Sequence, residues 1–485
     1  MNRQISRVGI VLLVLFGALF VNLNVITLWQ ADELANHPAN RRLIIREYAI
    51  ERGPIVVGEE AIARSIPTDE GEFRYLRTYS EPELYAHLTG YYSIVLQRSG
   101  LERALNEELT GRTTEVVAQN LGELLGGANR PGNAVELTID PEVQRAARNA
   151  LDGRVGAVVA LDPRSGAVLA SYANPTFDPN PLSSHDTAEI NDAWAPLRDD
   201  PARPLVDRAR GELYPPGSAF KVLVTAAALE AGSDPSRTFP NEATFDVPQT
   251  TSDISNAGDA RCGDGEEVTL ETAFRRSCNT VFARLGIELG SEDIAAQAEA
   301  FGFNHTPPFE LPAAASAIPS EQDVPATAQT AIGQRDVRAT VLQMAMVAAT
   351  VSNGGQLLRP HLVDAIRAPD GEILRGPDVG RWEDPPSDGR PISPRTAQQL
   401  RRLMVDAVEG PGATGANARI DGVEVGGKTG TAQTAVGSGS VAWFIGFAGN
   451  GVAVAVAVPD VDQGGGALAA PIARQVMVAA TEAGG

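Results

Sequence analysis

Tyr214-Pro215-Pro216-Gly217-Ser218-Ala219-Phe220-Lys221 opens a helical pattern that runs to Ala231 and is closed by Gly232. The Pro-Pro-Gly triplet blocks helix before Ser218, and apolar residues at helical spacing follow it. Ser218 and Lys221 are three residues apart, so on a helix they share one face. A Ser in the first turn meets free backbone N–H groups and the positive end of the helix dipole. Such a Ser is, by itself, an ordinary N-cap. Lys221 shifts the weighing. The chain has 40 Lys+Arg, of which only Lys221 and Lys428 are lysine, leaving 38 arginines (40 − 2). Arg keeps its proton, whereas a desolvated Lys can lose it and act as a base. A neutral amine within reach of a Ser hydroxyl makes a nucleophile.

Two further segments follow. Ser277-Cys278-Asn279 lies about sixty residues on and reads equally well as a helix-terminus trio. Lys428-Thr429-Gly430-Thr431 holds the second lysine. As a strand it offers a charge and two hydroxyls to a carboxylate, with a Gly that lets substrate approach the backbone. The same residues close Gly422-Val423-Glu424-Val425-Gly426-Gly427-Lys428-Thr429, which fits the phosphate-cradling G-x-x-x-x-G-K-[ST] pattern. That pattern needs a buried strand before it and a helix after it. Here Ala416–Asp421 precedes it, and the Gly/Ser/Thr-rich Ala432–Ser440 follows, so a nucleotide site is disfavoured. The histidines, His37, His87, His185, His305 and His361, lie far from Ser218, which has no G-x-S-x-G elbow, so a Ser-His-Asp triad is disfavoured too. No His/Asp/Glu cluster has metal-ligand spacing, and no metal or other cofactor is expected.

Over 485 residues the formal net charge is −21, with 43% hydrophobic and 21% charged residues. These are globular values, which exclude a disordered or fibrous chain. The acidic balance argues against nucleic acid, whose phosphates need Lys and Arg concentrated on one face. Val8–Val21 is an unbroken apolar run that extends past Asn22 and Asn24 to Trp29, 22 residues in all. That length spans a hydrocarbon core. Arg3 and Arg7 precede the run, and Asp32 and Glu33 follow it. The charge bias leaves the N-terminus in the cytoplasm and the rest of the chain outside. A cleaved signal peptide would have a shorter apolar region and a small-x-small site after it.

Farther along, Val155–Ala173 reads as a hairpin turning at Pro163–Gly166. Pro307–Pro325 reads as loop, Ala339–Val351 as a buried helix, and Ala467–Thr481 as a closing helix. Val441–Ala448 and Val452–Val458 read as strands joined by the Gly449-Asn450-Gly451 turn. Strands at both ends of a mostly helical middle imply one sheet assembled from distant parts of the chain.

With S-x-x-K, S-x-N and K-T-G-T in that order, the chain resembles the penicillin-binding proteins. More closely it resembles the class B D,D-transpeptidases, and among these the short penicillin-binding protein A type of high-GC Gram-positive bacteria. The likeness extends from about Arg52 to the C-terminus, through Arg52-Gly53-Pro54-Ile55, Gly100-Leu101-Glu102, Leu109-Thr110-Gly111 and Leu137-Thr138-Ile139-Asp140. Asn174–Asn180, Tyr214–Ser218 and Ala331-Ile332-Gly333-Gln334 are later landmarks. It departs where an Asp-Arg-Asn-Gly run would follow Ile55, and in reading Thr340-Val341-Leu342-Gln343-Met344-Ala345 for Thr-Pro-Leu-Gln-Met-Ala.

The resemblance implies an α/β (α+β) architecture in three parts: an N-terminal transmembrane helix (1–30), a small mixed module (31–135) of the pedestal or dimerisation kind, and a transpeptidase domain (136–485). The last would have an antiparallel five-stranded sheet flanked by helices and a mostly helical subdomain. It implies that Ser218 attacks the penultimate D-alanine of a stem peptide ending D-Ala-D-Ala, with Lys221 as base. Ser277 would relay a proton, Asn279 orient Lys221 and the substrate amide, and Lys428 help keep Lys221 neutral. Thr429, Gly430 and Thr431 would line the substrate's carboxylate site, with the N–H groups of Ser218 and Thr431 as oxyanion hole. β-Lactams would acylate Ser218, and a membrane-embedded SEDS-type glycan polymerase would be a partner. A D,D-carboxypeptidase or β-lactam sensor would use the same serine; a catalytically dead wall-binding scaffold would not need it.

Cys262 and Cys278 are the only cysteines. The anchor topology puts them outside the cell, where disulfides persist, so a Cys262–Cys278 bridge is expected. The competing reading is a buried free Cys278 with an unrelated Cys262.

Overall fold

The computed structural model describes residues 2–25, 44–45, 47–69, 71–112, 131–433 and 439–483. At its centre is an antiparallel sheet ordered Val425–Gln433, Ser440–Ala448, Val452–Val461, Gly156–Leu161, Val168–Asn174. The Gly156–Leu161 hairpin pairs with the penultimate part of the chain, Ala453 opposite Leu161. Every residue of Ala157–Leu161 and Val452–Val458 is buried. A run of Val and Ala without polar alternation demands cover on both faces. Val341–Ser352, buried along its whole length, packs on these strands. Pro141–Leu151 and Ala469–Ala483 pack on each other, and the latter covers the two long strands. Pro141–Leu151 starts where Asp140 accepts from the Glu142 and Val143 amides with Pro141 at the first helical position.

Between the hairpin and the last three strands lies a largely helical middle: Lys221–Glu230, Leu270–Arg276, Asn279–Leu289, Ser291–Ala300, Val324–Ala331 and Pro394–Glu409. The helix read over Ala339–Val351 starts at Val341, where Thr340 caps the Gln343 amide. The loop read over Pro307–Pro325 ends early, because Asp323 caps a helix beginning at Val324.

A second sheet of six strands runs Ile373–Arg375, Val363–Arg367, Ala134–Leu137, Ile55–Val57, Glu60–Pro67, Tyr75–Tyr79. It joins strands from before residue 138 to strands some 230 residues later. Two N-terminal segments quoted above meet beneath it. Arg52 Nε lies 2.5 Å from Glu102 Oε2, and Arg77 Nε lies 2.7 Å from Glu102 Oε1, all three side chains buried. A buried carboxylate between two guanidiniums is tolerated because both its oxygens are satisfied. Gln144 ties the N-terminal helix Pro82–Thr89 to the central sheet, donating to Leu84 O and Ser171 O and accepting from the Ser171 amide.

The apolar N-terminal stretch is a helix over Asn2–Asn24, and Ser6–Asn24 is long and apolar enough to cross a membrane. The continuation of the run to Trp29 lies outside the described residues.

Candidate active site

The edge strand Val425–Gln433 carries Lys428-Thr429-Gly430-Thr431, and its unpaired side is free to meet other groups. Gly422–Thr429 therefore runs from a turn into the interior of a strand, not into a helix, and no phosphate-cradling loop forms. Against the strand sits the turn of Ser218. Gly217–Phe220 is a 3-10 turn, and the α-helix proper begins at Lys221. Gly217 adopts φ +54°, and its N–H donates to Gly333 O at 2.8 Å. Trp443 Nε1 donates to Pro215 O at 2.9 Å. A Cβ on Gly430 would fall 2.6 Å from Pro216 O and 3.1 Å from Ala219 N. The Gly of this strand is thus needed first for the approach of the nucleophile turn, rather than for substrate.

Ser277-Cys278-Asn279 is the junction of two helices. Ser277 terminates Leu270–Arg276 in the left-handed region (φ 61°, ψ 44°), and Cys278 occupies the position just before Asn279–Leu289. A Ser in that conformation is strained and requires its surroundings to hold it. Cys278 is bonded to Cys262, their Cα atoms 6.0 Å apart. Cys262 N in turn donates to Asn241 Oδ1 at 2.8 Å.

Both lysines are fully buried. Lys221 Nζ donates to Ser277 O and Asn279 Oδ1, each at 2.8 Å, and lies 3.4 Å from Ser277 Oγ. Lys428 Nζ donates to Ser277 Oγ at 2.8 Å and Thr429 O at 3.1 Å. Asn279 Nδ2 donates to Ser255 O at 2.9 Å, which fixes the amide with its oxygen toward Lys221. No carboxylate pairs with either amine among the described residues. Burial pushes the Lys221 ammonium well below its ordinary range, and the Lys428 charge adds to this. Burial alone brings Lys428 down to about 7. A neutral Lys221 amine has two N–H bonds, both already accepted by oxygens at 2.8 Å. Its lone pair is left to take a proton.

These groups border a cleft of about 510 Å³ lined by Ser218, Ser277, Asn279, Thr429, Gly430 and Thr431. Thr429 is buried with its hydroxyl 2.9 Å from that of Thr414, while Thr431 is exposed and accepts from Gly465 N at 3.2 Å. Ser218 and Lys221 are brought to one place, but no hydrogen bond joins them among the described residues. Such contacts commonly close only around substrate.

Sequence reasoning gave no site role to Arg276, Thr414, Asn417 and Gly464–Gly466, nor to Gln334, quoted only as part of a landmark; all line the cleft. Three successive glycines were the one available signal. A Cβ on Gly465 would fall 2.0 Å from Trp443 O, and one on Gly466 would fall 2.4 Å from Thr414 O, so that loop can seal the cleft only as glycine. None of the described histidines lines the cleft, and no group able to hold a metal occurs among the described residues.

A nucleophile turn, a helix junction and a lysine-bearing edge strand around one cleft, acid-free among the described residues, define a serine acyl-transfer site. Residues 156–478 match the penicillin-binding protein transpeptidase domain, and residues 52–135 match the penicillin-binding protein A dimerisation domain. The chain belongs to the penicillin-binding protein transpeptidases, within class B and of the penicillin-binding protein A type. It is 41% identical to the peptidoglycan D,D-transpeptidase PbpA of Mycolicibacterium smegmatis over 100% of both chains. It is 39% identical to the corresponding Mycobacterium tuberculosis protein over 99% of both. The solved M. tuberculosis penicillin-binding protein A in its ceftriaxone acyl-enzyme form superposes with a TM-score of 0.84 at 40% identity, covering 90% of this chain and 99% of that one.

Proposed function

We propose that this chain is a membrane-anchored peptidoglycan D,D-transpeptidase whose acyl-enzyme forms on Ser218. The carrying observation is Lys221 Nζ: buried, without a carboxylate, and with both N–H bonds of its neutral form accepted by Ser277 O and Asn279 Oδ1. PbpA relatives along the full chain support the reaction, and solved relatives carrying β-lactam acyl-enzymes support the serine chemistry.

Ser218 Oγ attacks the carbonyl carbon of the penultimate D-alanine, and its proton passes to the Lys221 lone pair. The N–H groups of Ser218 and Thr431 hold the resulting oxyanion. Collapse breaks the bond to the terminal D-alanine, whose nitrogen takes a proton relayed through Ser277 Oγ, already bonded to Lys428 Nζ. D-Alanine leaves. An amine of a second stem peptide attacks the ester and gives its proton to Lys221, which passes it to the departing Ser218 Oγ as the ester bond breaks and the cross-link forms. Asn279 holds Lys221 and the substrate amide, while Thr429 and Thr431 hold the terminal carboxylate. A β-lactam follows the first half of this path and stalls.

Ser6–Asn24 is the anchor, with the N-terminus cytoplasmic and residues 136–485 outside as the transpeptidase domain. Residues 31–135 form the pedestal that meets a SEDS-type glycan polymerase in the membrane. Labelling of wild type and Ser218→Ala with fluorescent penicillin, followed by product analysis with a bis-peptide acceptor, tests the reading. Labelling that survives in Ser218→Ala overturns the assignment of the nucleophile, and hydrolysis without cross-linked product indicates a carboxypeptidase.

A further inference from the structure

The cleft has an electrostatic character opposite to the chain around it. The protein carries a formal charge of −21, yet among the described residues no Asp or Glu lines the cleft. Among the described Lys and Arg side chains at or below its surface, Lys221 and Lys428 are buried and committed to hydrogen bonds with Ser277, Asn279 and Thr429. Arg276 is exposed and lines the cleft directly. It makes no ion pair among the described residues, unlike its neighbour Arg275, which bridges to Asp406 at 3.0 Å. Arg276 is also seated. Gly412 has φ +66°, and a Cβ there would fall 2.5 Å from Arg276 Cζ, so the guanidinium lies against bare backbone.

Its position has a direction. Arg276 adjoins Ser277, whose hydroxyl accepts from Lys428 Nζ, and Thr429 follows Lys428 in the strand. The loop that seats Arg276 through Gly412 continues to Thr414, which bonds to Thr429. Arg276 therefore stands at the Thr429 end of the cleft. Hydroxyls at that end orient a carboxylate but bring no charge, whereas a guanidinium is permanently charged and presents a planar fork matched to two carboxylate oxygens.

We propose that Arg276 is a specificity-determining residue that captures the C-terminal carboxylate of the donor stem peptide, and the equivalent carboxylate of a β-lactam, before Ser218 reacts. This rests on the transpeptidase reading above. Arg276 supplies ground-state attraction and touches no reacting atom, so its effect falls on substrate capture rather than on the chemical step.

The test compares full-chain wild type, Arg276→Gln and Arg276→Lys in detergent, using benzylpenicillin and a depsipeptide ending in D-alanyl-D-lactate. Arg276→Gln should lower kcat/KM for the depsipeptide about tenfold, through KM, with kcat held within about twofold. It should lower the second-order rate of penicillin acylation similarly. Arg276→Lys should restore most of the loss. Added salt should slow wild type more than Arg276→Gln, because screening removes an attraction the variant lacks. If wild type acylates while Arg276→Gln keeps its KM, or loses only kcat, this inference fails and the transpeptidase reading stands. Wild type that takes up no penicillin overturns that reading and this inference with it.

Discussion

Gly430→Ala is the smallest change that should move the nucleophile. The new methyl would lie 2.6 Å from Pro216 O, 3.0 Å from Trp443 Cβ and 3.1 Å from Ala219 N. Ordinary contact needs about 3.5 Å, so the turn and the strand must part by several tenths of an ångström, up to about 0.9 Å at Pro216 O. The turn cannot swing aside freely. It is held by Gly217 N on Gly333 O at 2.8 Å and by Trp443 Nε1 on Pro215 O at 2.9 Å, one on each side of Pro216 and both just before Ser218. A displacement of this size at a reacting atom costs about a hundredfold in rate. Overpacking of the same site costs about 1–3 kcal/mol of stability. Stopped-flow acylation by a chromogenic β-lactam reads the first, and thermal unfolding reads the second. Gly451→Ala, with open space around the new methyl, is the control that should leave both unchanged. Acylation by Gly430→Ala within about threefold of wild type would refute the claim that the strand positions Ser218.

Three other outcomes are expected. Lys221→Arg keeps a charge but has no lone pair to offer, so acylation should drop about a hundredfold or more while the protein remains folded; near-normal acylation would make Lys221 structural. Lys428 is brought down to about 7 by burial, so the unfolded chain binds the extra proton between that pH and the ordinary lysine range near 10.5. Stability therefore rises with pH across this window and falls as pH drops through it, and Lys428→Met should flatten the rise, as melting temperatures at a series of pH values would show. Cys262→Ser opens a loop with a separation of 16 residues, which costs roughly 3 kcal/mol on the chain-entropy account. The same variant should slow acylation, because the bridge holds the junction that carries Ser277; an unchanged rate with a lowered melting temperature would confine the bridge to stability.

The lysine census was informative because both lysine amines in a chain that otherwise uses arginine are buried, where a lone pair or a buried point charge can act. The hairpins were legible for a simpler reason: alternation, Gly turns and Val/Ala runs are local properties. Ser277-Cys278-Asn279 shows where local reading stops. It is a helix-terminus trio and also a site element, and the two readings differ only in what lies opposite Ser277 and Asn279. What lies opposite is Lys221, more than fifty residues away. Arg52 and Glu102 were each visible as members of separate segments, but nothing in either segment specifies a pair across 50 positions. The glycines at 464–466 needed two other strands to acquire meaning.

The site's buried amines and its solvent-facing guanidinium can be understood as a division of charge by depth. An anion approaching a chain of net charge −21 is repelled on balance, and a cationic side chain on the cleft wall offsets that locally. A permanent charge there must be exposed, or its desolvation would cost more than it returns. A base must be the reverse, because burial favours the neutral form of a lysine near neutral pH. Placing Arg276 at the surface and Lys221 and Lys428 beneath it satisfies both conditions with one sign of charge. An acidic residue on the cleft wall would break the arrangement twice, by repelling the incoming carboxylate and by favouring the protonated form of Lys221. Gln334→Glu, on the cleft wall, should therefore weaken capture of penicillin and shift the acid limb of acylation to higher pH. An acid limb that stays in place, with capture unchanged, would show that the absence of carboxylates from the cleft has no bearing on catalysis.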